Sequence, residues 1–192
     1  LGFFANVGYK LKENSILSFY GRSDDHNTTG RNQTYKLNFT QILGKIELGA
    51  THSTGLRNPT LYELYGTDNS GIGGNVNLDP EKSKTNELYG KYNFSNKLSF
   101  ASTAFRTTIF DRIESNEAYS RHENQLIDLN QEGLENELFY KGNNQIFSIF
   151  TNFTKSRSTK GQAQNRRPDL NYGSNYLKKF VSSPIGAFNL NL

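Results

Sequence analysis

A chain of 192 residues is long enough for one domain with a core of its own, yet only 34% of it is apolar while aromatics reach 13%. That balance fits neither the dense aliphatic interior of an ordinary globular domain nor the aromatic-poor composition of a disordered one, and it suits β-structure with one apolar and one wet face. The net charge of +4 is scattered among acids with no basic run, which argues against nucleic-acid binding, and the absence of cysteine excludes disulfides and cysteine-based metal sites.

No apolar run approaches the roughly 18 residues of a spanning helix, which leaves open a barrel whose strands alternate. The chain contains no methionine and begins inside a strand-like pattern at Leu1. It is therefore expected to be a fragment of a longer protein.

Phe3, Ala5, Val7, Tyr9 and Leu11 are apolar at every second position, the pattern of a half-buried strand. A short turn at Lys12–Asn14 leads into a returning strand, Ser15–Arg22, and the polar run Ser23–Arg31 predicts a loop of medium length. Gln33–Ile42 alternates again, Leu43 and Gly44 make a tight turn, and Ile46, Leu48 and Ala50 begin the next strand. The longest interruption is Gly55–Glu87. In it, Asn58-Pro59 and Asp79-Pro80 fix extended or turn geometry, and one helical turn is expected between Thr60 and Tyr65. Pro59 would stand at its start, with Leu61, Leu64 and Tyr65 on one face.

Leu88–Phe94 alternates, Ser95-Asn96 turns the chain, and Lys97 to about Ile113 reads as a long strand with a bulge near Ala104. A polar loop at Glu114–Asn124, a strand over Gln125–Tyr140, a short connection, and a strand over Gln145–Lys155 follow. The last pieces are a polar loop at Ser156–Asp169, a strand over Leu170–Val181, and a turn into Gly186–Leu192. Short and long connections alternate, so all short turns fall at one end of an antiparallel meander and all long loops at the other. That asymmetry, with Phe3, Tyr9, Phe94 and Tyr140 near strand ends, favours a membrane barrel with aromatic girdles over a soluble sandwich. The sandwich remains the alternative at this level.

Little in the chain points to catalysis. His26, His52 and His122 are far apart and lack a metal-ligand spacing. Gly71-Ile72-Gly73-Gly74 lacks the Gly-Lys-Ser/Thr continuation of a phosphate loop, and Asp24-Asp25-His26 reads as a solvated loop. No nucleophile motif or pair of supported carboxylates appears, so no catalytic residue, metal ligand or cofactor is expected.

The run Thr54-Gly55-Leu56-Arg57-Asn58-Pro59-Thr60-Leu61-Tyr62-Glu63-Leu64-Tyr65-Gly66, with Gly74-Asn75-Val76-Asn77-Leu78-Asp79-Pro80-Glu81-Lys82-Ser83 and Glu87, resembles the signature of TonB-dependent outer-membrane receptors. Asn130–Glu135 and Arg166-Arg167-Pro168 resemble two later pieces of it in the same order. Leu56, Asn58 and Val76 depart from the usual Phe, Ala and Pro. The Asn77–Lys84 segment is most similar to the cobalamin receptors, with siderophore and haem receptors open.

The resemblance implies an all-β antiparallel meander of roughly ten strands, part of a barrel of about 22 strands with a plugged lumen. Residues 1–192 would be barrel wall, with plug and closing strands absent. It further implies active uptake of a scarce ligand, cobalamin or an iron chelate, across the outer membrane of a Gram-negative bacterium. The bilayer would be one partner, and the TonB complex, acting through the missing N-terminal region, another. From their chemistry and loop position, Arg57, Tyr62, Tyr65 and Asn75 are the expected ligand contacts, whereas Leu61 and Leu64 would pack the loop on the rim. A passive porin or adhesin is a further alternative.

Overall fold

The structure, a computed structural model, describes residues 1–27, 29–67, 71–160, 168–183 and 186–191, with backbone alone for 179–183 and 186–191. Ten strands form one antiparallel sheet: β1 (Gly2–Lys12), β2 (Ser15–His26), β3 (Gly30–Leu43), β4 (Ile46–Arg57), β5 (Glu81–Asn93), β6 (Leu98–Phe110), β9 (Leu129–Lys141), β10 (Gln145–Ser158), β11 (Leu170–Ser183) and β12 (Gly186–Asn191). They lie side by side in that order, and β1 and β12 are its two edges. A hairpin of β7 (Ile113–Ser115) and β8 (His122–Asn124) stands apart, and one helical turn, α1 (Leu61–Tyr65), follows β4.

Pairing register sorts the alternation into two faces. One row of direct partners runs Leu17, Phe39, Ala50, Leu88, Ala104, Leu134, Phe153, Leu170. The row beside it on the opposite face includes Gly49, Tyr89, Thr103, Glu135 and Asn152, and the next includes Glu47, Lys91, Ala101 and Glu137. The apolar face is left open: Phe19 is 48% exposed, Leu37 42% and Leu88 67%, and the buried hydrophobic residues are Leu64, Leu78, Ile113 and Leu129. Among the described residues no second layer covers the apolar rows, so the sandwich arrangement is not adopted. Polar sets that interrupt the apolar face satisfy themselves: Ser102 Oγ donates to Asn136 Oδ1 at 2.8 Å and Asn136 Nδ2 to Thr151 Oγ1 at 3.3 Å, and toward the loops the His52 ring lies 2.8 Å from Asn86 Oδ1 and 3.2 Å from the Tyr35 hydroxyl.

On the polar face, aromatic rings lie over glycines directly opposite them. Phe105 covers Gly133, where a Cβ would come within 2.7 Å of the ring, and Tyr89 covers Gly49 while its hydroxyl donates to Glu47. Only glycine leaves room for that close approach.

Several expectations need correction. The loop expected at Ser23–Arg31 shrinks to residues 27–29, because β2 and β3 stay paired up to His26 opposite Gly30. The strands there have left the apolar zone, so both faces are polar and alternation no longer marks them. For the same reason β4 runs on to Arg57 opposite Glu81, β10 runs to Ser158, and the central excursion narrows to residues 58–80. The bulge near Ala104 is absent, since β6 keeps unbroken register with β5 from Ser99 to Phe110. Small and polar residues on both faces of β6 blurred its period. The polar loop at Glu114–Asn124 contains the β7–β8 hairpin, and β9 starts at Leu129 rather than Gln125. Arg166, Arg167 and Pro184 lie outside the described residues.

The segregation of connections holds with one exception: residues 13–14, 44–45, 94–97 and 142–144 turn the chain at one end, residues 58–80, 111–128 and 159–169 connect it at the other, and the link from His26 to Gly30 at that long-loop end is as short as a turn.

Candidate functional site

The long connections of the central excursion and of the β7–β8 hairpin join into one platform above the ends of β4, β5 and β6. Its base is a capping box. Thr60 is the N-cap of α1: its side chain accepts from the Glu63 backbone N–H, while the Glu63 carboxylate accepts from the Thr60 N–H at 2.8 Å. Pro59 therefore precedes the cap instead of opening the helix.

Glu63 also faces Arg57. The guanidinium donates to both Glu63 oxygens, at 2.9 and 3.1 Å, and to both Glu81 oxygens, at 2.7 and 2.7 Å. Arg57 and Glu81 are cross-strand partners, so this fork ties the last residue of β4, the first of β5 and α1 into one unit. Glu81 accepts in addition from the Ile113 N–H at 2.8 Å, which brings in the hairpin. Burial pushes the Glu63 carboxyl up, but hydrogen bonds from Arg57 and Thr60 outweigh it and hold the group below the usual range.

The glycine-rich segment completes the platform by backbone contact. A Cβ on Gly74 would sit 2.6 Å from Leu64 backbone atoms, and with none there the chain passes close enough for the Asn75 N–H to reach the Glu63 carbonyl at 2.8 Å. Gly73 exchanges bonds with the far loop, donating to the Ser120 carbonyl at 2.8 Å and accepting from the His122 N–H at 3.0 Å. Asn124 clamps the base: its Nδ2 donates to the carbonyls of Asp79 and Asp111 at 2.9 and 2.7 Å, and its Oδ1 accepts from the Asp79 N–H at 2.8 Å. Leu64, Leu78 and Ile113, each at most 7% exposed, form a small core supplied by three separate segments.

All four expected ligand residues lie in this platform. Arg57 is engaged by its two carboxylates. Asn75 donates from Nδ2 to the His122 carbonyl at 3.0 Å and accepts at Oδ1 from the Asn77 N–H at 3.0 Å. Tyr62 is 45% exposed and meets the His122 ring edge-on at 5.7 Å, and Tyr65 is 62% exposed. Of the two leucines expected to pack, only Leu64 does so; Leu61 is 77% exposed, because the short helix rests on the core through a single side chain.

The outward surface therefore carries Leu61, Tyr62, Tyr65 and Val76, with Tyr119 of the hairpin also exposed. Tyr119 sits in the left-handed region at φ 51°, at a turn held by Asn116 Oδ1 accepting from the Ser120 N–H. Residue-by-residue reading missed Glu63, His122 and Asn124. For Glu63 the signal was present, as Thr60-x-x-Glu63 spells a capping box; His122 and Asn124 act through backbone partners more than 40 residues away and left none. At the expected Asp24-Asp25-His26 loop, Asp24 pairs instead with Arg22 at 2.6 Å. Among the described residues no three His, Asp or Glu side chains are placed to hold a metal.

A family model described as "TonB dependent receptor-like, beta-barrel" matches residues 1–191. No curated protein matches the sequence. Among solved structures, the chain is similar to the siderophore receptor PirA from Pseudomonas aeruginosa at 20% identity and a TM-score of 0.70, covering 99% of this chain and 38% of that one. It is similar to a mutant ferric enterobactin receptor, PfeA, from Pseudomonas aeruginosa at 21% identity and 0.71, covering 95% and 30%. It is similar to the copper transporter OprC at 15% identity and 0.68, covering 94% and 32%. These likenesses carry the fold, and the chain spans about a third of the length of each. It belongs to the TonB-dependent receptor-like β-barrel family, as a ten-stranded part of the barrel wall.

Proposed function

We propose that this chain supplies wall and ligand-facing loops to an outer-membrane receptor of a Gram-negative bacterium that captures a scarce metal chelate and imports it with TonB-supplied energy. The observation that carries this reading is the platform: exposed aromatic and aliphatic side chains held on a clamped base at the long-loop end of an apolar-faced wall. A rigid surface loses little entropy on binding, and tyrosines offer flat apolar area with a directional hydroxyl.

Tyr62 and Tyr65 are the proposed ligand contacts. Arg57 and Asn75 belong to the same surface and, with their polar groups bonded internally, act on ligand chiefly through the position of the tyrosines. Siderophore chelates are favoured by the similarity to siderophore receptors, and cobalamin by the Asn77–Lys84 motif. Residues 1–192 are part of the barrel domain, and a plug, its TonB-contacting segment and the closing strands belong to the longer protein.

The test is binding by the full-length receptor of a panel of ferric siderophores and cyanocobalamin, followed by Tyr62→Ala and Tyr65→Ala. The reading expects at least one panel member to bind and each substitution to weaken it by about tenfold, the scale of losing one buried aromatic contact. Unchanged binding in the double variant would remove the platform from the ligand site.

A further inference from the structure

Toward the loops, the apolar row of Leu88, Ala104, Leu134 and Phe153 gives way to charge within one step. The next row on that face runs Asn86, Arg106, Glu132, Lys155, and the row beyond runs Lys84, Thr108, Asn130, Arg157. Lys82 follows on β5, opposite Phe110. Three of these four adjacent strands thus present five exposed cations on the apolar-band side of the sheet, against Glu132 of β9 and the nearby Asp111 and Asp128.

Lys82 lies 3.9 Å from Asp111, whereas Lys84, Arg106, Lys155 and Arg157 form no ion pair among the described residues. On the opposite face, Arg22 and Arg57 are each neutralised by a carboxylate. Over the loop-side rows of β5, β6, β9 and β10 the surplus positive charge is therefore one-sided, since Glu81 is the charge those rows carry on the opposite face. Strand spacing of about 4.8 Å puts the cations in a patch roughly 15 Å across. Lys84 Nζ stands 5.5 Å over the Phe110 ring, which orients the charge without cancelling it. Beside them a groove of about 680 Å³ is lined by Tyr35, Thr54, Leu56, Lys82, Lys84 and Phe110 among others.

We infer that this belt docks the phosphorylated headgroup of a lipid in the loop-side leaflet. The inference rests on the membrane reading of the wall given above. Its acyl chains lie along Leu88, Ala104, Leu134 and Phe153, and its phosphates meet Lys84, Arg106, Lys155 and Arg157. The height of the charge decides between a lipid and a free anion: the cations begin where the apolar band stops, so a lipid anchored on the band holds its headgroup among them, while long Lys and Arg stems cover the boundary.

The test uses the full-length receptor in phosphatidylcholine nanodiscs doped with bis-phosphorylated or dephosphorylated lipid A, with retained lipid counted by native mass spectrometry. The phosphorylated form should be retained at least tenfold better. Lys84→Gln/Arg106→Gln/Lys155→Gln/Arg157→Gln should lose that preference, and a variant exchanging Lys for Arg and Arg for Lys at the same positions should keep it. Equal retention by the Gln variant, or complete displacement of the lipid by inorganic phosphate, would overturn the site while leaving the receptor reading intact. Failure of the unmodified receptor to enter nanodiscs would instead overturn the membrane reading, and this site with it.

Discussion

In the wall, side chains are ordered without being buried; in the platform, a few are buried deeply and the rest are held by them. The wall gets its order from backbone pairing that keeps its register from β2 to β11, so each strand needs only the correct period, and its apolar face stays open. Leu64, Leu78 and Ile113 come from three segments, and the bonds around them join Arg57 to Glu81, Asn75 to His122 and Asp79 to Asn124. A periodic element tolerates many residues at each position. An irregular one depends on individual donors and acceptors, so single substitutions should act differently in the two regions.

The largest effect is expected on the wall's open face. Leu48→Arg would put a charge into lipid two rows below the loop-side cations, at a cost of about 2–4 kcal/mol near the midplane, whereas Glu47→Gln, one residue away on the polar face and still able to accept from Tyr89, should cost less than ~1 kcal/mol. Denaturant unfolding of the full-length receptor in lipid would show the contrast, and equal effects would erase the distinction between the faces. Next comes Leu64→Ala, which empties part of the small core at about 2–3 kcal/mol. The loss should appear as faster proteolysis of the 58–80 segment with the wall's unfolding unchanged.

Arg57→Ala should loosen the same segment by ~1–2 kcal/mol, a charge-assisted bond's worth discounted for the guanidinium's partial exposure. Because Glu63 has a depressed pKa in the folded state, its contribution is fully present above the ordinary glutamate value of about 4.3 and is lost as pH falls further. Hydrogen exchange in the α1 segment should therefore accelerate on acidification below that value in the parent and much less in Glu63→Gln. Smallest is Tyr119→Gly, which relieves the left-handed φ of 51° and should change stability by less than ~1 kcal/mol. A large loss would show that the ring itself packs the hairpin.

The same contrast explains what was legible beforehand. Val7, Phe39, Leu88 and Leu134 could each be placed on the apolar face of its strand from sequence because alternation is a local signal that survives without knowing the neighbours, whereas β2 reads equally with Leu17 and Phe19 or with Ile16 and Tyr20 on that face until its pairing with β3 is known. The strand ends could not: Ser23–His26 and Gly30–Asn32 are polar on both faces, and only pairing reveals them as strand. The short helix was legible from Pro59 and the Leu spacing, and the residues expected at ligand do share one platform. What each does there was not legible. Arg57 reads from sequence as an available cation, but its register opposite Glu81 and the fold-back of Glu63 commit it to two carboxylates. The β7–β8 hairpin was hidden for a related reason, since its bonds to Gly73, Asn75 and Asp79 span long separations that no local pattern encodes.

The central claim is that β5 and β6 stand between lipid and lumen with the assigned faces. The chain has no cysteine, so single cysteines can be placed along β5 of the full-length receptor in a cysteine-free background and spin-labelled in lipid. Oxygen should relax labels at 88, 90 and 92 most strongly, and a water-soluble nickel chelate those at 87, 89 and 91, with a period of two. Equal accessibility of the two sets, or the reverse assignment, would contradict the account.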